Sequence, residues 1–113
     1  MAGKDKPQST NGTVERDSAL ALALFTRQFS TLVDAGLSLV RIMTILEQDA
    51  PPPFAAYATE LREKLQEGYP LSRIMGERPD LFSGFYVKMI RVGEIGGILE
   101  ESLNYLADLL EEG

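Results

Sequence analysis

Cysteine and histidine are both absent from these 113 residues. Without cysteine there is no disulfide framework, no thiolate zinc site and no cysteine nucleophile. Without histidine the usual zinc sites and every Ser-His or Cys-His catalytic arrangement disappear as well. Positive charge is scarce: 11 Lys and Arg stand against 17 Asp and Glu, a formal charge of −6. Such a chain cannot neutralise a run of phosphates, which excludes a nucleic-acid binder, and an anionic membrane surface repels it. Long apolar runs are lacking too. The longest, Ala19-Leu20-Ala21-Leu22-Ala23-Leu24-Phe25, is far short of the ~20 residues a bilayer-spanning helix needs. No segment alternates apolar and polar residues for long enough to make a strand.

What is present is a helical period. With 44% hydrophobic residues the chain can bury one core, and its length suits a single domain. Residues 1–16 are polar and turn-rich and read as a disordered leader or cloning remnant, without the apolar centre of a signal peptide. Residues 17–113 carry the folded unit. A first helix is expected from Asp17-Ser18 to Ala35, with Leu22, Phe25, Phe29, Leu32 and Val33 on one face and Gly36 as its left-handed stop. Ser38 caps a second helix reaching about Gln48, apolar on most of its circumference, which Pro51-Pro52-Pro53 ends. The third places Phe54, Tyr57, Leu61 and Leu65 inward, pairs Glu60 with Lys64 outside, and stops at Gly68.

Pro70 opens a short fourth helix with Leu71, Ile74 and Met75 inward and Gly76 as its end. After a turn at Glu77-Arg78-Pro79-Asp80, a fifth helix from Ser83 to Val92 presents Phe82, Phe85, Met89 and Ile90. The sixth starts at Gly97 or Ile98 and repeats Leu99, Leu103, Leu106 and Leu110 at bundle spacing. Between these two lies Gly93-Glu94-Ile95-Gly96-Gly97, where Gly93 is read as the residue of positive φ that ends the fifth helix. The fold class is all-α, an antiparallel bundle of about six helices.

Read together, Phe25-Thr26-Arg27-Gln28 with Ala35-Gly36, Gly68-x-x-Leu71-Ser72, Pro79-x-x-Phe82 and Gly93-Glu94-x-x-Gly97-x-Leu99 form a pattern. It resembles the cytoplasmic domain of the F-type platform proteins of type II secretion and of their counterparts in type IV pilus assembly. The resemblance covers roughly residues 20–112. Ser38 and Gly96 depart from it, since the family often carries proline at the first and serine or threonine at the second. It implies a six-helix domain that the family carries twice, of which this chain is one excised copy. It also implies a scaffold without catalytic activity at the cytoplasmic face of the bacterial inner membrane, reaching the membrane only through segments absent here. The implied partners are the assembly ATPase, other inner-membrane assembly proteins and a second copy as a homodimer. No cofactor is implied.

Individual residues carry competing readings. Glu94 is expected to cap the start of the last helix; its alternative is a calcium ligand shared with Glu100, Glu101 or a neighbouring subunit. One carboxylate offers too few oxygens for calcium by itself. Arg27 is expected to pack its stem on the bundle and pair with an acid such as Glu94 or with glycine-turn carbonyls, and Gln28 stands beside it. The glycine stretch superficially resembles a phosphate loop, but it lacks the Lys and Ser or Thr of that motif. Phe54, Tyr57 and Tyr105 are candidates for a partner surface, and the Glu100-Glu101 and Glu111-Glu112 pairs for a solvated acidic face. Two other functions compete with the scaffold: an acyl-carrier-type protein modified in Asp17-Ser18, and an unrelated acidic helical adaptor.

Overall fold

The computed structural model describes the backbone of residues 2–113, with side chains from Arg16 onward. Six α-helices follow one another: α1 (Ala2–Asp34), α2 (Leu39–Asp49), α3 (Phe54–Gln66), α4 (Leu71–Gly76), α5 (Gly84–Gly96) and α6 (Leu99–Glu112). There is no strand among the described residues. Sequential neighbours pack on each other, and the chain closes where α6 returns to lie along α1. Arg27 meets Asp108 and Glu111 while Asp34 meets Asn104, so the two helices run antiparallel.

Three helices end in the same way. Gly36, Gly68 and Gly97 have φ of 83°, 100° and 69°. At each, the following amide donates to the carbonyl five residues back: Leu37 to Leu32, Tyr69 to Lys64 and Ile98 to Gly93. The glycine amide itself donates three residues back. This pairing satisfies carbonyls that a helix end leaves free, and it needs a residue without Cβ at the left-handed position.

The centre is aromatic. Phe25 of α1 stacks on Phe54 of α3 at 4.7 Å between ring centres, and Phe82, in the turn before α5, meets Phe54, Tyr57 and Tyr86 at 5.9, 5.4 and 5.0 Å. All five are buried; burying a ring of this size is worth roughly 2 kcal/mol or more, and such offset and tilted contacts add to it. The motif residues Phe25 and Phe82 therefore hold distant helices together. Buried beside them, the Thr26 and Tyr86 hydroxyls share a hydrogen bond of 2.8 Å across α1 and α5. Burial raises the Tyr86 phenol above its ordinary pKa, with the Thr26 bond opposing that rise.

Several expectations need correction. The helix α1 passes through Asp17 and Ser18, which stand exposed within it, so neither caps it; an exposed mid-helix Ser or Asp can turn its side chain to solvent. The expected leader over 1–16 falls almost wholly on residues whose side chains lie outside the described ones. Phe85 is exposed, and Tyr86 takes its inward place. Phe82 precedes the capping Ser83, so a helical period counted from Phe82 is out of phase with α5. Val40 and Ile45 are half-buried, so α2 is less enclosed than its apolar sequence suggests. Glu60 pairs with Arg78 at 3.3 Å and Lys64 with Glu77 at 3.7 Å, in place of the expected pair within α3. Finally, α5 runs four residues beyond Val92, and Gly97 takes the left-handed position expected of Gly93.

Candidate functional site

The glycine stretch works by space as well as by φ. Gly93 sits buried inside α5, and a Cβ built there would lie 2.6 Å from Ser102 Oγ and 2.9 Å from the Leu99 Cα. Real Cβ atoms do not approach backbone so closely, so only glycine lets the first turn of α6 rest on α5. The chain then reverses at Gly97 within two residues. No side chain caps the α6 N-terminus. Glu100 and Glu101 stand in its first turn, where negative charge suits the helix dipole.

Glu94 points elsewhere. Its two carboxylate oxygens each lie 3.3 Å from the Ser72 amide, at the start of α4. The residue in the N-cap position of α4 is Pro70, which makes no side-chain cap bond. A free amide of the first turn is therefore satisfied from another helix, 22 residues away in sequence. The expectation that Glu94 caps α6 is therefore corrected: it serves the first turn of α4. Its rotation toward α4 follows from the extension of α5, which carries Glu94 as a helical residue past the turn it was expected to occupy. Among the described residues no group of three or more acidic side chains gathers to hold a metal ion.

Arg27 does not reach Glu94. It crosses to α6, donating to Asp108 at 2.5 Å, to Glu111 at 2.8 and 2.9 Å and to Asn104 at 3.4 Å. The guanidinium is held by these carboxylates, which raise its already high pKa, and it lowers that of Glu111 in return. The last turn of α6 has no basic residue of its own, so Arg27 also supplies the positive charge that a helix C-terminus favours. Below it the Ser30 hydroxyl donates to Asn104 Oδ1 at 2.7 Å, and Asn104 Nδ2 faces both Asp34 oxygens at 3.3 Å. Asp34 in turn raises the Glu100 carboxyl above its usual range through a shared hydrogen bond. Sequence reasoning missed Ser30, Asp34 and Asn104. Their signal was available: with Arg27, Ser30 and Asp34 recur at spacings of three and four, as do Glu100, Asn104 and Asp108 at four.

Gln28 ties α1 to the end of α2, donating to the Asp49 carbonyl at 3.0 Å. Gly36, Gly68, Leu71, Pro79, Phe82, Gly97 and Leu99 shape turns or core. Of the surface candidates, Tyr105 is 49% exposed, whereas Phe54 and Tyr57 are each 2% exposed and belong to the core. Their row on α3 faces inward against Phe25 of α1 and Phe82. The motif residues thus end helices, close seams or fill the centre, and they do not converge on one reactive cavity.

The fold is thus a helical bundle whose signature residues are spent on its own closure. The family described as type II secretion system (T2SS), protein F matches residues 25–113, and the chain belongs to that family. It is 38% identical over 92 residues to the type IV pilus assembly protein PilC of Myxococcus xanthus, covering 80% of this chain and 22% of that protein. It is 39% identical over 93 residues to the type II secretion system protein F of Xanthomonas campestris, covering 80% and 23%. With the PilC of Thermus thermophilus the identity is 35% over 92 residues, covering 80% and 22%. The chain therefore spans between a fifth and a quarter of the length of these relatives. Among the described residues no helix is long and apolar enough to cross a membrane.

Proposed function

We propose that this chain is a non-catalytic scaffold domain of an inner-membrane platform protein in type II secretion or type IV pilus assembly. It stands at the cytoplasmic face, where it contacts the assembly ATPase and other inner-membrane assembly proteins, and its membrane attachment comes from other parts of a protein as long as its relatives. The observation that carries the reading is the family match over residues 25–113, in which the motif residues hold the turns, seams and core of one bundle. A folded domain suits a platform because its surface is presented without a folding cost at each encounter. The two systems named among the relatives leave the machine open between pilus and secretion.

The test is a titration of the purified chain, immobilised by one terminus, with the assembly ATPase encoded in the same genome. Saturable binding is expected. Absence of binding, together with undiminished secretion or piliation after replacement of residues 25–113 in the full protein by an unrelated helical bundle, would overturn the scaffold reading. The carrier-type alternative has little to stand on, since Ser18 lies inside α1 and not at a helix start.

A further inference from the structure

The outer face of α5 is left uncovered. This helix packs on α4 and α6 and reaches α1 through the Tyr86 hydroxyl, turning Tyr86, Ile90 and Gly93 inward and leaving Phe85, Val92 and Ile95 in solvent, Ile95 at 76%. With Lys88 between them, these positions recur at helical spacings of three, four and three, so they form one stripe. A ridge of Val87, Arg91 and Ile95 runs beside it with a hollow on each flank. One hollow, of about 610 Å³, lies toward Pro70, Ser72 and Arg73 at the start of α4. The other, of about 520 Å³, lies toward Gly84, Lys88 and Val92. A ridge between two grooves is the relief that a further helix packs against.

The charge of this face runs against that of the rest of the chain. Arg27, Arg62, Lys64 and Arg78 are each paired with an acid. Five described bases make no ion pair, Arg16 on α1, Arg41 on α2, and Arg73, Lys88 and Arg91; the last three gather at the two hollows, although the protein carries six more acids than bases. The one carboxylate in the hollows, Glu94, is turned to the Ser72 amide. One unpaired cation, Lys88, thus stands within the exposed apolar stripe, and two, Arg91 and Arg73, stand along one side of it. An apolar centre with a charged rim is how protein interfaces are built, and the rim selects a partner of opposite sign.

We propose that the outer face of α5 is a docking surface for an acidic amphipathic helix of a partner protein, with Phe85, Val92 and Ile95 taking its apolar side and Arg73, Lys88 and Arg91 its carboxylates. This rests on the scaffold reading only in that the partner is a protein chain. A bilayer fits less well, because it is flat where this face is grooved and the chain as a whole is acidic.

The experiment uses two fluorescent helical peptides of about 18 residues, with leucines at i, i+3, i+4 and i+7 flanked by glutamates in one and by lysines in the other. Fluorescence anisotropy at low ionic strength is expected to show the glutamate peptide binding the chain. The double variant Lys88→Glu/Arg91→Glu should bind it about tenfold more weakly and should bind the lysine peptide instead, with an unchanged melting temperature. No binding of the glutamate peptide, equal binding of both peptides, or indifference to the double reversal would overturn the proposal. So would association with phosphatidylglycerol vesicles, or self-association in sedimentation, that the double reversal abolishes, since the face would then belong to a membrane or to a second copy. Because ATPase binding is measured separately, failure here leaves the scaffold reading standing.

Discussion

Helix α6 is held by two seams of opposite character. Against α5 the contact is steric: Gly93 lies where any Cβ would strike Ser102 and the Leu99 backbone. Against α1 the rim is polar, a ladder in which Arg27, Ser30 and Asp34 face Glu111, Asp108 and Asn104. The first depends on one absent atom group and has no substitute. The second spreads its hydrogen bonds over several exposed partners, so losing one leaves others that water can replace. One seam therefore sets how closely the helices approach, and the other tunes an approach already set.

Breaking the steric seam should have the largest effect. Gly93→Val is expected to cost about 3 kcal/mol, because the obstacle is backbone and cannot swing aside. Its readout is the urea midpoint with the slope unchanged. Gly93→Ala should cost less, since the better helix propensity of alanine offsets up to about 1 kcal/mol of the clash. The comparison sharpens in the double variant Gly93→Ala/Ser102→Gly. Removing the Ser102 side chain clears the contacts at 2.6 and 3.0 Å but leaves Leu99 Cα at 2.9 Å, so partial rescue is expected. Full rescue would place the constraint in the side chain alone, and no rescue in the backbone alone.

Next in size is the cap between α5 and α4. Glu94→Ala should cost about 1 kcal/mol, in the range of other lost caps. Hydrogen exchange should locate the loss in the first turn of α4, at the Ser72 amide, and not at the start of α6. Equal exchange of Ser72 in both proteins would show that water serves that amide as well as Glu94 does.

The contrast between the seams also explains what the sequence could reveal. Helix existence and most of the core were legible, because Phe25, Phe29, Leu61, Leu71, Ile74, Met75, Ile90, Leu103 and Leu106 recur with the period of a buried face, and all are buried. Stops at Gly36 and Gly68 were legible as glycines standing just past the last residue of an apolar helical period, Val33 and Leu65. Gly93 was not, because a glycine needed for space and one needed for positive φ look the same in a sequence, and three glycines within five residues offer both. Polar partners were the least legible: Glu94 with Ser72, Arg27 with Asp108 and Glu60 with Arg78 join residues whose neighbourhood exists only after the helices dock. For the same reason the cations beside the apolar stripe of α5 could not be seen, since Arg73 of α4 joins Lys88 and Arg91 only once the helices dock.

The polar seam should give the smallest change, and pH separates its parts. Arg27→Met keeps most of the packing stem while removing the guanidinium, and it should lower the urea midpoint less than Glu94→Ala, since the pairs it breaks are exposed. Arg27 holds the Glu111 pKa below its ordinary value. That contribution is fully present above the unfolded carboxylate pKa of about 4.3 and is lost as pH falls through the lower folded value. Glu100 behaves in the opposite sense: Asp34 raises its pKa, so its contribution is present at acid pH and is lost as pH rises through the raised value. The two overlap in any single titration of stability. They separate in the difference between the native chain and Arg27→Met, where the Glu100 part is common to both and cancels. That difference should be flat from neutral pH to about pH 5 and shrink below about pH 4. A difference that instead persists undiminished at pH 2 would mean that Arg27 acts through its contact with Asn104 and through packing, and that the carboxylates of α6 contribute nothing to this seam.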